Sequence, residues 1–349
     1  MALIIYTDPH IGVNRTGNTT PASRELLREK ILKGVYGILA RKNEGDYAIC
    51  LGDLFDTYSN PESVIRQGMS IVGMTDLTLA GNHDVVADAD KVGSLQLITN
   101  NYSHKVVYAR FNEPWAETLL VSNTIVTAVP HVTTQDLFEE SLDKAVQQTL
   151  GVKSHTWPKI LLLHCNYDSP HELTETSLNL TPQRVEELLD TYNYIFCGHE
   201  HQPRDLFDGR LIILGNTHPT SFADISSKRI AVLDEGGVVF HPVWDMDADA
   251  GYVEWNINTD VTLDSTEAQF VRIKGEVPSD QMAEVSKAVS RLWKNSPNLL
   301  ALRSEVRVTG MQQQDTSGVE VTAETLPALV ERELASDPAM QAMWQEFTS

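Results

Sequence analysis

Cysteine is scarce in this 349-residue chain: only Cys50, Cys165 and Cys197 occur, each within an apolar run and without paired spacing. An odd, unpaired set argues against a disulfide scaffold and suits a reducing cytoplasm. No apolar stretch reaches spanning length, so a transmembrane helix is not expected. The first residues, Met-Ala-Leu-Ile-Ile-Tyr-Thr-Asp, lack the cationic start of a secretory signal. Low-complexity tracts and internal repeats are also missing, which excludes a disordered chain or a solenoid. Bases are the scarcest class relative to their opposites, 27 Lys and Arg against 48 Asp and Glu, giving a formal charge of -21. Positions 243–270 hold seven acids and no base, and 311–349 hold seven acids against Arg332 alone. Such runs are usually solvated faces. Bases concentrate instead at 11–33, where Arg15, Arg24, Arg28, Lys30 and Lys33 face Glu25 and Glu29.

What is present is a regular alternation. Short runs rich in Ile, Val and Leu at 3–6, 47–51, 77–79, 160–163, 194–197 and 211–214 each lead into a loop bearing Asp, Gly or His. Runs of this kind predict buried strands. Between them, 22–41, 62–73, 134–150 and 182–190 carry helical periodicity. The alternation predicts a layered α/β unit with its site at the carboxyl ends of the strands. Further strands are expected at 230–233 and 238–243, with the acidic stretch 245–251 as the edge of a first domain spanning 1–245. A second unit, 252–310, reads as strand 270–274, helix 279–294 and strand 305–308, a small α/β cap. Positions 322–347 read as a helical tail, two short helices around Ser336-Asp337-Pro338.

Five separated pieces carry the chemistry: Asp8-Pro9-His10, Gly52-Asp53-x-x-Asp56, Gly81-Asn82-His83-Asp84, His164, and Gly198-His199-Glu200-His201. Two neighbouring divalent ions require hard oxygen donors, imidazoles and a bridging carboxylate, and Asp53 is the natural bridge. Asp8 with His10, and His199 with His201, stand two apart, which on an extended segment places both side chains on one side. Glycines 52, 81 and 198 mark points where the backbone turns close to the ions. A single zinc site would leave too many donors unused.

These motifs resemble the calcineurin-like metallophosphoesterase superfamily. The resemblance implies an α-β-β-α sandwich with the cap and tail appended, hydrolysis at phosphorus, and one ion on Asp8, His10, Asp53 and His201. It places the second on Asp53, Asn82, His164 and His199, with His83 as catalytic histidine and Asp84 as its orienting partner. An imidazole titrating near neutrality suits a proton donor to the leaving oxygen.

Gly52-Asp53-Leu54-Phe55-Asp56-Thr57-Tyr58-Ser59-Asn60-Pro61 and Leu214-Gly215-Asn216-Thr217-His218-Pro219-Thr220-Ser221-Phe222 further resemble SbcD-type DNA nucleases, the short chain being similar to phage-type recombination subunits. That likeness implies Mn²⁺, with Mg²⁺ as the alternative, for 3′ to 5′ exonuclease action on duplex ends and endonuclease action on single strands. It also implies an SMC-like ATPase partner of the SbcC type, engaged through the tail, and a homodimer formed by first-domain helices. Such a protein acts on DNA in the cytoplasm, the host's in the phage case. Asn14 and Arg15 are the expected phosphate contacts, Arg24, Arg28, Lys30 and Lys33 being read as solvated helix charges, and His131 and His218 are candidate substrate neighbours. His104, His155, His171 and His241 are read as surface or structural. A small-molecule or cyclic nucleotide phosphodiesterase satisfies the same metal donors and agrees better with the acidic charge.

Overall fold

The computed structural model describes residues 1–14, 18–86, 88, 90–109, 113–153, 156–169, 177–219, 222, 227–243, 251–259 and 264–309. The expected tail at 322–347, nearly all of the acidic stretch before Gly251, Arg15, His155 and His171 therefore lie outside the described residues.

The first sheet has the order β14-β13-β1-β2-β3-β4, built from β1 (Leu3–Tyr6), β2 (Tyr47–Cys50), β3 (Leu77–Leu79), β4 (Val106–Val107), β13 (Arg229–Asp234) and β14 (Gly237–Pro242). Strands β1 to β4 run parallel, while β13 and β14 pair antiparallel. The second sheet, β11-β12-β10-β7-β6-β5, repeats this plan with β5 (Glu117–Val121), β6 (Thr124–Ala128), β7 (Lys159–His164), β10 (Tyr194–Gly198), β11 (Arg204–Leu206) and β12 (Leu211–Ile213). Its four middle strands are parallel and both edges antiparallel. A two-stranded pair joins β8 (Asn166–Tyr167) to β9 (Asn179–Leu180).

Side-chain alternation sorts these strands into layers. In β1, Leu3 and Ile5 enter a core shared by the two sheets, together with Ile160 and Leu162 of β7 and Phe196 of β10. Ile4 and Tyr6 turn the other way, onto α1 (Pro21–Leu39), α2 (Glu62–Met74) and α3 (Ser94–Tyr102). On the second sheet Leu161, Leu163, Ile195 and Cys197 face α4 (Gln135–Gly151) and α5 (Pro182–Leu189). The layers are helix, sheet, sheet, helix, and strands covered on both faces must be apolar at nearly every position. This is why the runs lack a polar–apolar rhythm. In α1 the buried stripe Leu27, Ile31, Val35 and Ile38 follows helical spacing. Its start is set by Thr20 and Ser23 as a capping box, with Pro21 in the first turn.

A third, parallel sheet joins β15 (Tyr252–Asn256), β16 (Phe270–Pro278) and β17 (Ala301–Thr309), with α6 (Met282–Asn295) crossing between the last two. Val271, Ile273, Ala288, Leu292 and Leu302 form its own core. Phe270 and Leu300 pack instead into the core beside α1, and the Leu302 amide donates to the Asn18 carbonyl at 2.8 Å. Among the described residues no helix is long and apolar enough to cross a membrane. All three cysteines are buried and free, Cys165 and Cys197 lying thiol to thiol.

Candidate metal centre

Every candidate ligand sits at or just beyond the carboxyl end of a parallel strand. Asp8 and His10 follow β1, Asp53 follows β2, Asn82 and His83 follow β3, His164 ends β7, and His199 and His201 follow β10. The expectation that alternate residues of an extended segment bring each pair together is corrected by the backbone. Asp8, His10, Asp53 and His199 all have positive φ, 52°, 45°, 49° and 84°. Each such residue costs about 1–3 kcal/mol unless its surroundings hold it. Here the first two loops are laced together: the amides of Asp8, His10 and Ile11 donate to the carbonyls of Gly52, Asp53 and Leu54 at 3.1, 3.0 and 2.9 Å. The close approach expected at the glycines is observed. A Cβ on Gly81 would lie 2.2 Å from Asp53 Oδ1, and one on Gly52, itself at φ +117°, 2.5 Å from His164 Nδ1.

The donor atoms fall into overlapping groups. Asp8, His10 and His201 form one, Asp53, His164 and His199 another, and His10, Asp53 and His83 a third that shares a residue with each. His10 Nε2 stands 3.2 Å from His201 Nε2 and 3.8 Å from both Asp8 Oδ1 and Asp53 Oδ2. On the other side Asp53 Oδ2 is 3.3 Å from His164 Nε2, and Asn82 Oδ1 is 3.1 Å from His164 Nε2 and 2.8 Å from His199 Nδ1. One oxygen of Asp53 thus faces the first two groups, while its other oxygen accepts the His83 amide at 2.8 Å. Asp8 Oδ1 is buried without a hydrogen-bond partner. A buried, partnerless carboxylate oxygen among converging imidazole nitrogens fits cations better than it fits a proton network.

Electrostatics agree. Burial alone would lower His164, yet the carboxylates of Asp53 and Asp8 raise it to about 10. Burial would raise Asp53, but His164, and after it His10 and His83, hold its carboxyl well below the usual range. His10 and His199 are kept neutral chiefly by burial, His199 lowered to about 4.

The role expected of Asp84 is corrected. His83 Nδ1 contacts the Asp56 carbonyl at 2.6 Å, whereas the fully buried Asp84 carboxylate accepts the amides of Leu54, Phe55 and Gly81 at 3.1, 3.1 and 3.0 Å. It clamps the second loop to the third and leaves the imidazole to Asp56. Burial, then the charge of Asp53, pushes Asp84 up to about 7 against the pull of these three amides. A carbonyl partner fixes the proton on Nδ1 and leaves Nε2 free for chemistry.

Asp56 belongs to the second motif but has no role assigned from the sequence, and Lys228 lies outside all five motifs. The Asp56 carboxylate lies 3.6 Å from His10 Nδ1, so a single residue faces both His10 and His83. Lys228, 4% exposed, donates to the His201 carbonyl at 3.2 Å; its distance along the chain hides this. Arg28, expected to be a solvated helix charge, reaches back to the Val13 carbonyl at 2.9 Å and Asn14 Oδ1 at 3.1 Å. Asn14 is exposed in the loop after His10. His131 is nearly buried and held neutral, lowered to about 3 by burial and then by His164. His218 is fully buried and so offers no surface to a substrate. His104 and His241 are exposed.

The chain belongs to the calcineurin-like phosphoesterase family, whose model matches residues 1–203, more than half of the sequence and all five motifs. This is a family of hydrolases acting on phosphoester bonds through a dinuclear metal centre. No curated protein matches the sequence. Among solved structures, a 5′-nucleotidase precursor from Thermus thermophilus is similar at 14% identity and a TM-score of 0.40, over 69% of this chain and 53% of that one. Purple acid phosphatase from yellow lupin matches at 14% identity and 0.46, over 70% of this chain and 52% of the other. For a dimetal phosphatase from Danio rerio the values are 13% and 0.42, over 69% and 95%. The chain spans about half the length of the nucleotidase and the acid phosphatase.

Proposed function

We propose that this chain is a two-ion phosphodiesterase that cleaves DNA. The observation carrying the phosphodiesterase reading is that Asp53 Oδ2 faces both donor groups, 3.8 Å from His10 Nε2 and 3.3 Å from His164 Nε2, with His83 beside it. Asp8, His10, Asp53 and His201 would hold one ion, and Asp53, Asn82, His164 and His199 the other. Bound there, divalent cations supply charge neutralisation at the phosphate and a nucleophile at neutral pH. His83, its Nδ1–H held by the Asp56 carbonyl, donates from Nε2 as the doubly protonated imidazolium and is left as the neutral Nδ1–H tautomer when the proton passes to the departing oxygen. The side chains of Asp56 and Asp84 act through their neighbours, the first toward His10 and the second on the loop backbones.

DNA as substrate is supported by the SbcD-like text around Asp53 and His218, and by Arg28 and Asn14 flanking the loop after His10. Manganese and an SMC-like ATPase partner belong to the same proposal. The chain's charge of -21 favours the second reading, a small nucleotide diester.

A manganese-dependent time course on end-labelled duplex and single-stranded DNA tests the first reading. Progressive shortening that His83→Ala slows by about 10²–10⁴ and Asp53→Ala abolishes supports it. Intact DNA, with and without an added ATPase partner, beside hydrolysis of bis(4-nitrophenyl) phosphate, transfers the assignment to the small-diester reading.

A further inference from the structure

A cavity of about 530 Å³ opens beside the segment that directly follows His83 and Asp84. Its lining comes from β4 and β5, the neighbouring edge strands of the two large sheets, from the loops that follow β3, β4 and β6, and from α3 and the first turn of α4. His131 joins cavity to centre: its imidazole lines the cavity and feels His164 and Asp53, and its amide donates to the Ala80 carbonyl at 2.9 Å, one residue before Gly81. Val85 and Val86, directly after His83 and Asp84, line it too.

The contents are unlike a second phosphate site. Its lysine, Lys91, is already paired with Asp88 at 3.2 Å, and the imidazole is neutral. Two aromatic rings, Tyr108 and Trp115, line the cavity. Among the described residues nothing donates to the half-buried carboxylate of Glu117, which burial raises above the usual range. Thr133 Oγ1 is buried without a partner. Aromatic faces suit a planar ring, and a desolvated acceptor requires an N–H from whatever enters. An amino-bearing nucleobase supplies both, since carboxylates accept from the amino group of cytosine and aromatic side chains stack on any base.

We infer that this cavity is a nucleoside pocket of the same substrate, seating the base next to the phosphate being cleaved, with Glu117 accepting from the base's amino group. The inference rests on the phosphodiesterase reading but not on the length of the nucleic acid, and it is more specific than that reading because thymine lacks the amino donor.

The test is calorimetric binding of dCMP, dAMP, dTMP and base-free deoxyribose 5-phosphate to the full chain with Mn²⁺, for wild type and Glu117→Leu. Wild type is expected to bind dCMP and dAMP about tenfold more tightly than deoxyribose 5-phosphate, and more tightly than dTMP. Glu117→Leu should erase the margin over dTMP while still binding deoxyribose 5-phosphate. Glu117→Met, closer in shape to the native side chain, serves the same comparison if thermal denaturation shows that Glu117→Leu does not fold. Equal binding of base-bearing and base-free ligands overturns the inference, as does a margin over dTMP that survives in the variants. Wild-type hydrolysis of bis(4-nitrophenyl) phosphate separates the failures: if it proceeds, the pocket alone is wrong, and if it is absent the underlying phosphodiesterase reading falls as well.

Discussion

Replacing Asp84 by alanine removes the acceptor for three buried amides at once, those of Leu54, Phe55 and Gly81. An orphaned buried donor costs about 1–3 kcal/mol, so the ceiling is about 9 kcal/mol, and water entering the vacated space lowers it to about 3–5 kcal/mol. Domains of ordinary stability hold only about 5–15 kcal/mol, and each kcal/mol moves the melting temperature by about 2–4 °C at this size. Asp84→Ala is therefore expected to melt about 10 °C below wild type. Asp84→Asn should lose about a third as much, because an amide oxygen in the Oδ2 position still serves Leu54 and Gly81 and fails only Phe55. Differential scanning calorimetry at pH 8 with saturating Mn²⁺, where the carboxylate form prevails, reads both values. Asp84→Ala melting within 2 °C of wild type while kcat falls sharply would refute this reasoning, because such a result belongs to a residue acting on His83 rather than on the loop backbones.

Asp56→Ala keeps the carbonyl that holds His83 but removes the carboxylate facing His10; metal affinity should fall about 10–100-fold by equilibrium dialysis, and unchanged affinity counts against the pairing. Because the carboxylates of Asp53 and Asp8 outweigh burial and raise His164 to about 10, the metal-free chain holds that proton at neutral pH, above the ordinary histidine range. Loading at pH 7 should thus release about one proton, seen as a dependence of calorimetric enthalpy on buffer ionisation; a zero slope excludes it. Gly68→Ala places a methyl 2.4 Å from Phe55 Cζ, so it should cost about 1–3 kcal/mol in thermal denaturation; an unshifted melting point would mean that α2 yields freely.

What the chain shows linearly is the identity of the donors. Asp8, Asp53, Asn82, His164 and His199 each stand at or within three residues of a strand end, and apolar runs covered on both faces announce those strands. How the donors meet is a different matter. Alternation along a strand explains nothing at Asp8 and His10, since β1 has ended at Tyr6 and both residues are left-handed. Asp and His tolerate that conformation better than most side chains, but neither announces it. The same gap explains Asp84. A carboxylate after a histidine reads as its partner, yet three amides brought in by the neighbouring loop compete for it, and a desolvated carboxylate takes the partners that satisfy both its oxygens. Arg28 turns toward Val13 and Asn14 for a related reason, because the loop returning from His10 passes beside its helix. The pocket around Glu117 and Thr133 draws on segments with no common spacing. Residue type limits what a position can bind; the turn of the backbone beside it decides which neighbour it finds, and that turn is set by packing between loops distant in the chain.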